Sequence, residues 1–322
     1  MHSISDYRKY IEEAIGEFQL PSTPKNLYQP LSYFLSIGGK RMRPILALMG
    51  AELFGAPISA AKHAAIAVEL FHNFTLIHDD IMDEAPLRRG HETVHTKWNE
   101  NIAILSGDVL MIEAYKQFCN YPPEILAKLL PLFNKTAEEV CQGQQWDMDF
   151  ETQDTVEINS YLKMIAYKTA VLLGCSLKMG AIIAKSTDQN ANELYDFGMN
   201  LGIAFQIQDD ILDVYADKNK FGKQVGGDII ANKKTFLLLK ALEDASESQR
   251  KEFKTLMNEK DALIKVRKTK ALYAELNIKE KATQEMNRYH AIAMENLKQI
   301  NCDENRKKPL FDLADFLLGR EY

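Results

Sequence analysis

The chain has 322 residues and a mass of 36.7 kDa, room for one large domain or two average ones. A net charge of −6 and a pI near 5.7 exclude a general nucleic-acid binder and a protein drawn broadly to anionic lipid. Hydrophobic residues make up 46%, enough for a substantial core, while 10 prolines and 16 glycines are few for this length and favour long helices over tight turns.

The N-terminus, MHSISDYRKYIEEAIGEF, is charged and amphipathic and has no apolar signal-peptide core. Breaks are expected at QLPSTPKN (19–26), SIGGKRMRP (36–44), FGAP (54–57), EAPLRRGHE (84–92), NYPPE (120–124) and DKNKFGKQVGGD (217–228). Between them apolar residues recur at spacings of three and four, as in Ile45/Leu48/Met49, Ile66/Leu70/Phe74/Ile77 and Leu194/Phe197/Leu201/Phe205. Strand-like alternation is nearly absent, so the fold is expected to be all-α.

No linker rich in Pro, Gly or Ser divides the chain, which reads as a single domain, 1–322, with its core helices at 27–240. The Lys/Glu-rich stretch after 240 reads as the solvated face of amphipathic helices. The longest near-uncharged run, Thr169 to Ala184, falls short of the roughly 20 apolar residues of a membrane span and reads as a buried helix. Cys119, Cys141, Cys175 and Cys302 form no C-x-x-C pair and are expected to be buried thiols in a reducing compartment, which places the chain in the cytoplasm with no stable membrane insertion.

Two apolar runs end in the same acidic pattern, D-D-x-x-D: LIHDDIMDEA at 76–85 and FQIQDDILDV at 205–214. On a helix, residues four apart share a face, so Asp79 and Asp83 can grip a hard cation together while Asp80 points aside. Asp209 and Asp213 repeat this beside Asp210. One such cluster could be surface decoration. Two, each ending a helix too apolar for the surface, call for cations. Oxygen-only ligands suit Mg²⁺, which completes its shell with waters and substrate phosphates.

Fixed cationic donors accompany these motifs. GGKRMRP offers Lys40, Arg41 and Arg43 after a glycine pair, with Pro44 starting the next helix, and APLRRG places Arg88 and Arg89 beyond the first acidic helix. YKTA supplies Lys168 and Thr169, and GKQVGGDIIANKKT supplies Lys223 and Lys233. His72 lies seven residues before Asp79, two turns down the same face. A lone helical His is more often a structural hydrogen-bonder, but this alignment favours a phosphate contact. Gln206 lies on the acidic face, and no Ser/His/Asp or Cys/His set signals covalent catalysis. With apolar walls from Phe71, Phe74, Leu76, Ile203 and Phe205, the residues read as a helical cavity for two polyphosphate esters with apolar tails.

These motifs, together with GQQWD at 143–147, stand in the order and spacing of the trans-isoprenyl diphosphate synthases (polyprenyl synthetases), which the chain resembles over essentially its whole length. The resemblance implies a bundle of long helices around a deep central cavity, usually a homodimer, and about three Mg²⁺ per site. It implies that Asp79, Asp83 and Asp209 hold the metals of an allylic diphosphate, supported by Asp80, Asp210 and Asp213. Arg88, Lys168, Lys223 and Lys233 would hold the same diphosphate, and Lys40, Arg43, His72 and Arg89 isopentenyl diphosphate. Thr169 and Gln206 would lie next to the carbocation. An aromatic residue five before the first motif, Phe74, with Thr75 rather than a second aromatic at four, and with Phe71 below, resembles the pattern for a C15–C20 product, C20 favoured. Asn232, where many members have Gly, and Phe236, in place of a common Leu-Pro start, depart from the family pattern. A terpene cyclase would be expected to lose the second aspartate motif and the isopentenyl site, and a non-catalytic subunit to lose one aspartate motif. Neither loss is present.

Overall fold

The computed structural model describes residues 1–216 and 226–319. Helices dominate the order along the chain: α1 Ile4–Gly16, α2 Lys25–Ser36, α3 Met42–Leu53, α4 Lys62–Met82, α5 Val94–Lys97, α6 Glu100–Phe118, α7 Pro123–Thr152, α8 Ile158–Ile165, α9 Val171–Ile183 and α10 Asp188–Tyr215. Then come α11 Gly227–Ile230, α12 Phe236–Asp244, α13 Glu247–Met257, α14 Ala262–Glu275, α15 Ile278–Gln299 and α16 Glu304–Leu318. A 3₁₀ turn, Ile58–Ala61, leads into α4, and a π turn, Ala166–Ala170, joins α8 to α9. The only strands among the described residues are a paired hairpin, Leu87–Arg88 with His91–Glu92. The fold is all-α, as the spacing of apolar residues predicts.

Local chemistry sets the helix starts. Ser3 and Asp6 form a capping box on α1, and Ser246 and Gln249 form another on α13. Asn99 accepts the Ile102 N–H at 2.9 Å, and Asp261 accepts those of Leu263 and Ile264. One expectation shifts by two residues. The helix after the glycine pair begins at Met42, not at Pro44, with Arg41 as its left-handed cap at φ 53°. Pro44 is still tolerated, because N–H groups in a first turn have no helical partner.

The chain divides into two compact units. The first comprises Met1–Asn134, Cys175–Tyr195 and Cys302–Pro309, and the second Lys135–Gly174, Asp196–Asn301 and Leu310–Tyr322. In the first, α4 packs along α6 and α3, burying Ala64, Ala65, Val68, Leu70 and Phe71. A Cβ on Gly50 would lie 2.3 Å from the Leu177 carbonyl oxygen, and one on Gly180 would lie 2.3 Å from that of Ala47. Bare backbones therefore meet where α3 crosses α9. In the second unit Tyr161, Ile165, Ile207, Ile211, Leu237, Leu239 and Tyr273 form the core.

The stretch Ile158–Ile183 is long and apolar enough to cross a membrane by length and composition, but 72% of its most apolar window is buried, as in a core helix. Of the cysteines, only Cys175 is fully buried. Cys119 and Cys141 are exposed and Cys302 is partly exposed, which corrects the expectation that all four are interior thiols. Cys119 caps the end of α6 and Cys302 lies between α15 and α16, placements that single-residue hydrophobicity does not reveal.

Candidate active site

In the first unit, α4 delivers Asp79 and Asp80 from its last turn, and Asp83 caps it, with its N–H donating to the Asp79 carbonyl at 2.9 Å. The three carboxylates are not equivalent. Asp79 is half-buried and Asp83 exposed, whereas Asp80 is 1% exposed. Arg88, from the hairpin, donates Nε to both Asp80 oxygens at 2.8 and 2.9 Å and Nη2 to Oδ1 at 2.7 Å. Burial pushes the Asp80 carboxyl up, opposed by the Arg88 guanidinium. Asp80 thus fastens the hairpin to the helix, and the outer aspartates are left toward solvent.

The second unit repeats the arrangement on α10. Asp209 is exposed, Asp213 half-buried and Asp210 buried. Asp210 Oδ2 accepts the Tyr161 hydroxyl at 2.6 Å and the Phe236 N–H, first in α12, at 2.9 Å. Burial pushes this carboxyl up to about 7, against the pull of those two donors, and drives the Tyr161 hydroxyl well above its usual range. Asp213 accepts the Asp228 N–H at 3.1 Å, which ties the start of α11 to the motif. In both motifs the middle aspartate is an internal fastener.

The cations behave just as unequally. Arg41, offered by the sequence as a phosphate donor, is 3% exposed and fully engaged. Nη1 donates to Glu69 at 2.5 Å, Nη2 to the Leu35 carbonyl at 3.1 Å and Nε to Glu12 at 3.2 Å. Its left-handed backbone turns the side chain inward, so it is structural. Lys40 is exposed on one side of it. On the other, Arg43 Nη1 donates to His72 Nε2 at 2.9 Å, while its buried Nε has no hydrogen-bond partner. Burial holds the Arg43 guanidinium down at about 10, with Arg89 adding to the effect. Burial also holds His72 well below the usual imidazole range, reinforced by Arg43, Arg89, Arg88 and Arg41. His72 is therefore neutral and accepts through Nε2, leaving Nδ1 as its donor. Arg89, left-handed at φ 53°, donates to the Gly38 carbonyl, and burial followed by its neighbouring guanidinium groups depresses it. Arg43, His72 and Arg89 thus lie close together in the first unit, and Lys40 lies next in sequence to Gly39, against which the Arg89 guanidinium packs.

In the second unit, Lys168 and Thr169 fall inside the π turn Ala166–Ala170, a distortion common at functional sites. A Cβ on Gly143 of the GQQWD segment would lie 2.2 Å from the Lys168 nitrogen, so glycine lets α7 touch that turn. Lys168 Nζ donates to Asp147 at 2.5 Å. Gln206 is half-buried on α10, three residues before Asp209. Lys234 donates to the Phe150 and Glu151 carbonyls at the end of α7, whereas the Lys233 side chain is exposed. Asn232 has φ 56°, a left-handed position that glycine favours and Asn tolerates, which gives its departure from the family pattern a physical reason. Lys223 lies outside the described residues.

Of the expected chain-length residues, Phe71 is 1% exposed and packs edge-on against Phe133 at 5.1 Å and tilted against Phe74 at 5.6 Å. Phe74 meets the His78 ring at 4.7 Å, and Thr75 donates to the His72 carbonyl at 2.8 Å. Sequence reasoning missed Glu69 and Tyr161. Each is a polar residue in an apolar helix, and that is the signal that could have marked them.

The sequence profile of the family described as Polyprenyl synthetase matches residues 24–276. The chain belongs to this family. It is 37% identical over 321 residues to the geranylgeranyl pyrophosphate synthase of Geoglobus acetivorans, covering 99% of this chain and 98% of that protein. It is 36% identical to the short chain isoprenyl diphosphate synthase of Methanothermobacter thermautotrophicus, covering 100% and 99%. A crystal structure of a geranylgeranyl pyrophosphate synthase superposes with a TM-score of 0.95 at 43% identity, covering 100% of both chains. Family members use divalent metal. Among the described residues no three His, Cys, Asp or Glu side chains form a ready-made metal cage. The candidate ligands in both motifs are carboxylate oxygens, a donor type that suits a hard ion which keeps waters and takes further ligands from phosphate oxygens.

Proposed function

We propose that the protein condenses isopentenyl diphosphate head-to-tail with an allylic diphosphate, releasing diphosphate and forming a short all-trans prenyl diphosphate of C15–C20, C20 favoured. The observation that carries this reading is the split within the site residues. In each aspartate motif the middle carboxylate is locked inside while the outer ones keep some exposure, and Arg43 pairs with neutral His72 rather than with an aspartate of either motif. The arrangement suits one diphosphate bound through metal and another bound through side chains alone.

In this reading Asp79, Asp83, Asp209 and Asp213 hold Mg²⁺, which supplies Lewis-acid stabilisation of the departing diphosphate. Asp80 and Asp210 support them by fixing the hairpin and α12. Arg88, Lys168, Lys223 and Lys233 neutralise the charge that grows on the allylic diphosphate as its C–O bond ionises. Thr169 and Gln206 sit beside the cation. Lys40, Arg43, Arg89 and neutral His72 hold isopentenyl diphosphate so that its double bond attacks in line. The attack leaves a tertiary cation on the isopentenyl unit, and its loss of a proton to the released diphosphate forms the double bond of the new allylic product. Phe71, Phe74 and Thr75 set the floor that limits the tail.

The chain works as one synthase domain, and we propose that it is a cytoplasmic homodimer with no nucleic-acid partner. On α6, Leu105 and Ile112 are seven residues apart and 58% and 53% exposed, with Ile104 beside them. Such an apolar row suits a second copy. Light scattering on Leu105→Glu should report loss of the dimer.

The purified chain with labelled isopentenyl diphosphate and each allylic starter tests the function. Diphosphate release that requires both substrates, with a lengthened product, is the expected result. Release from the allylic substrate alone would instead indicate a cyclase, and no release from the isolated chain a non-catalytic subunit.

A further inference from the structure

We infer that Glu69 is the resident counter-ion of the cation cluster, a positioning residue that holds the Lys40–Arg43 turn in place until a diphosphate arrives. The inference rests on reading Lys40, Arg43, His72 and Arg89 as the isopentenyl diphosphate site. Glu69 lies on α4, three residues before His72, and is 4% exposed. One oxygen, Oε1, accepts from Arg41 at 2.5 Å and from Asn73 Nδ2 at 3.1 Å. Arg41 is the left-handed cap of α3, and its guanidinium spends its donors on Glu69, Glu12 and the Leu35 carbonyl. Lys40 and Arg43 flank that anchored residue, so their directions follow from its fixed backbone.

The charge count gives the anchor a second role. Glu69 favours the charged forms of Arg41, Arg43 and Arg89 alike. Burial works against all three guanidinium groups, and a buried charge without compensation is strongly destabilising. In the ligand-free state Glu69 supplies that compensation. An incoming diphosphate supplies it again, and the buried Nε of Arg43 is a donor still to be satisfied. Resident carboxylate and diphosphate therefore act on the same cations. Removing the first should weaken the ligand-free fold and strengthen anion binding, whereas a purely structural residue would weaken both.

Thermal melts in a chelator, with inorganic diphosphate as the probe, keep any metal-dependent site silent. Glu69→Gln should melt about 5 °C below wild type without the anion. Its affinity for diphosphate should rise about threefold or more, judged from the concentration dependence of the melt. The KM for isopentenyl diphosphate should fall in parallel, with that for the allylic substrate unchanged. Equal or weaker diphosphate affinity in Glu69→Gln overturns the inference. Arg43→Ala separates the two levels. If it keeps wild-type affinity, the site reading itself fails. If it loses affinity while Glu69→Gln is unchanged, only the counter-ion role fails. Should Glu69→Gln show no cooperative melt under either condition, Glu69→Asp decides. That variant keeps the charge but draws the carboxylate back from the cations, and a larger diphosphate shift than wild type supports the inference while an equal or smaller one refutes it.

Discussion

Replacing Gly143 by Ala exchanges one hydrogen for a methyl group, yet the contact it creates is with backbone. The new Cβ would stand 2.2 Å from the Lys168 nitrogen and 2.7 Å from its Cα, where ordinary contact begins at 3.4 Å. No side chain can rotate away to make room, so α7 and the π turn must part by about 1 Å. Overpacking of this kind costs roughly 1–3 kcal/mol, a few degrees in Tm for a chain of this size. The effect on turnover should be larger. Lys168 and Thr169 sit on the displaced turn, and a misplacement of about 1 Å at reacting groups costs on the order of 10²-fold. Calorimetry and steady-state isopentenyl incorporation on Gly143→Ala measure the two effects. Gly16→Ala serves as the control, because nothing lies within 4 Å of its added Cβ. A Gly143→Ala enzyme with wild-type kcat would refute the argument that this close approach positions the turn.

Other outcomes follow from the same site. Asp79→Ala and Asp209→Ala should each lower turnover by orders of magnitude while keeping the circular dichroism of the fold, and a chelator should do the same reversibly with Mg²⁺; near-normal turnover in either variant would remove that aspartate from the metal set. Arg89→Ala should chiefly raise the isopentenyl diphosphate requirement and Lys223→Ala chiefly slow the allylic step, as single-turnover and steady-state kinetics would tell apart. Phe74→Ala should lengthen the product by one or more C5 units and Phe71→Ala should add to that, read by chromatography; unchanged length in both places the floor elsewhere. Asp210 has a folded pKa raised to about 7 from an ordinary value near 4, so the folded state holds the extra proton between them. Its contribution to stability is full below about pH 4 and is lost as pH rises through about 7. Chemical denaturation of Asp210→Asn in a chelator should show a flatter pH profile across that window, and an unchanged slope would assign the titration to another group.

The sequence makes the helices legible, because burial of one face imposes its spacing on the residues. It also marks both aspartate motifs and the basic segments. What it hides is which member of each set turns inward. Asp80 and Asp210 look like their neighbours in the one-letter code, and only Arg88, Tyr161 and the Phe236 N–H identify them as fasteners. Arg41 reads as one more phosphate donor until its backbone at φ 53° and its partner Glu69 are seen. These choices depend on residues distant in sequence, which local pattern cannot supply. Asn232 is the converse case. It looks like a departure in sequence, but at φ 56° Asn meets the same backbone demand as glycine.

The π turn at Ala166–Ala170 has a bearing on how this segment can change over time. A wide turn holds one residue more than an α-helical path, and each residue in an α-helix advances the wheel by about 100°. Deleting one residue inside the turn would let the helix close into regular α form with the residues on either side still in phase, at the expense of where Lys168 and Thr169 stand. Deleting one from the α-helical path before or after it would instead rotate everything beyond by that angle. Val171, Leu172 and Cys175, now inside, would swing away from their neighbours if the lost residue lay just after the turn, even though no apolar residue had been replaced. Across Ile158–Ile183 a one-codon deletion scan should therefore find folded chains only for losses within Ala166–Ala170, and those chains should be poor catalysts.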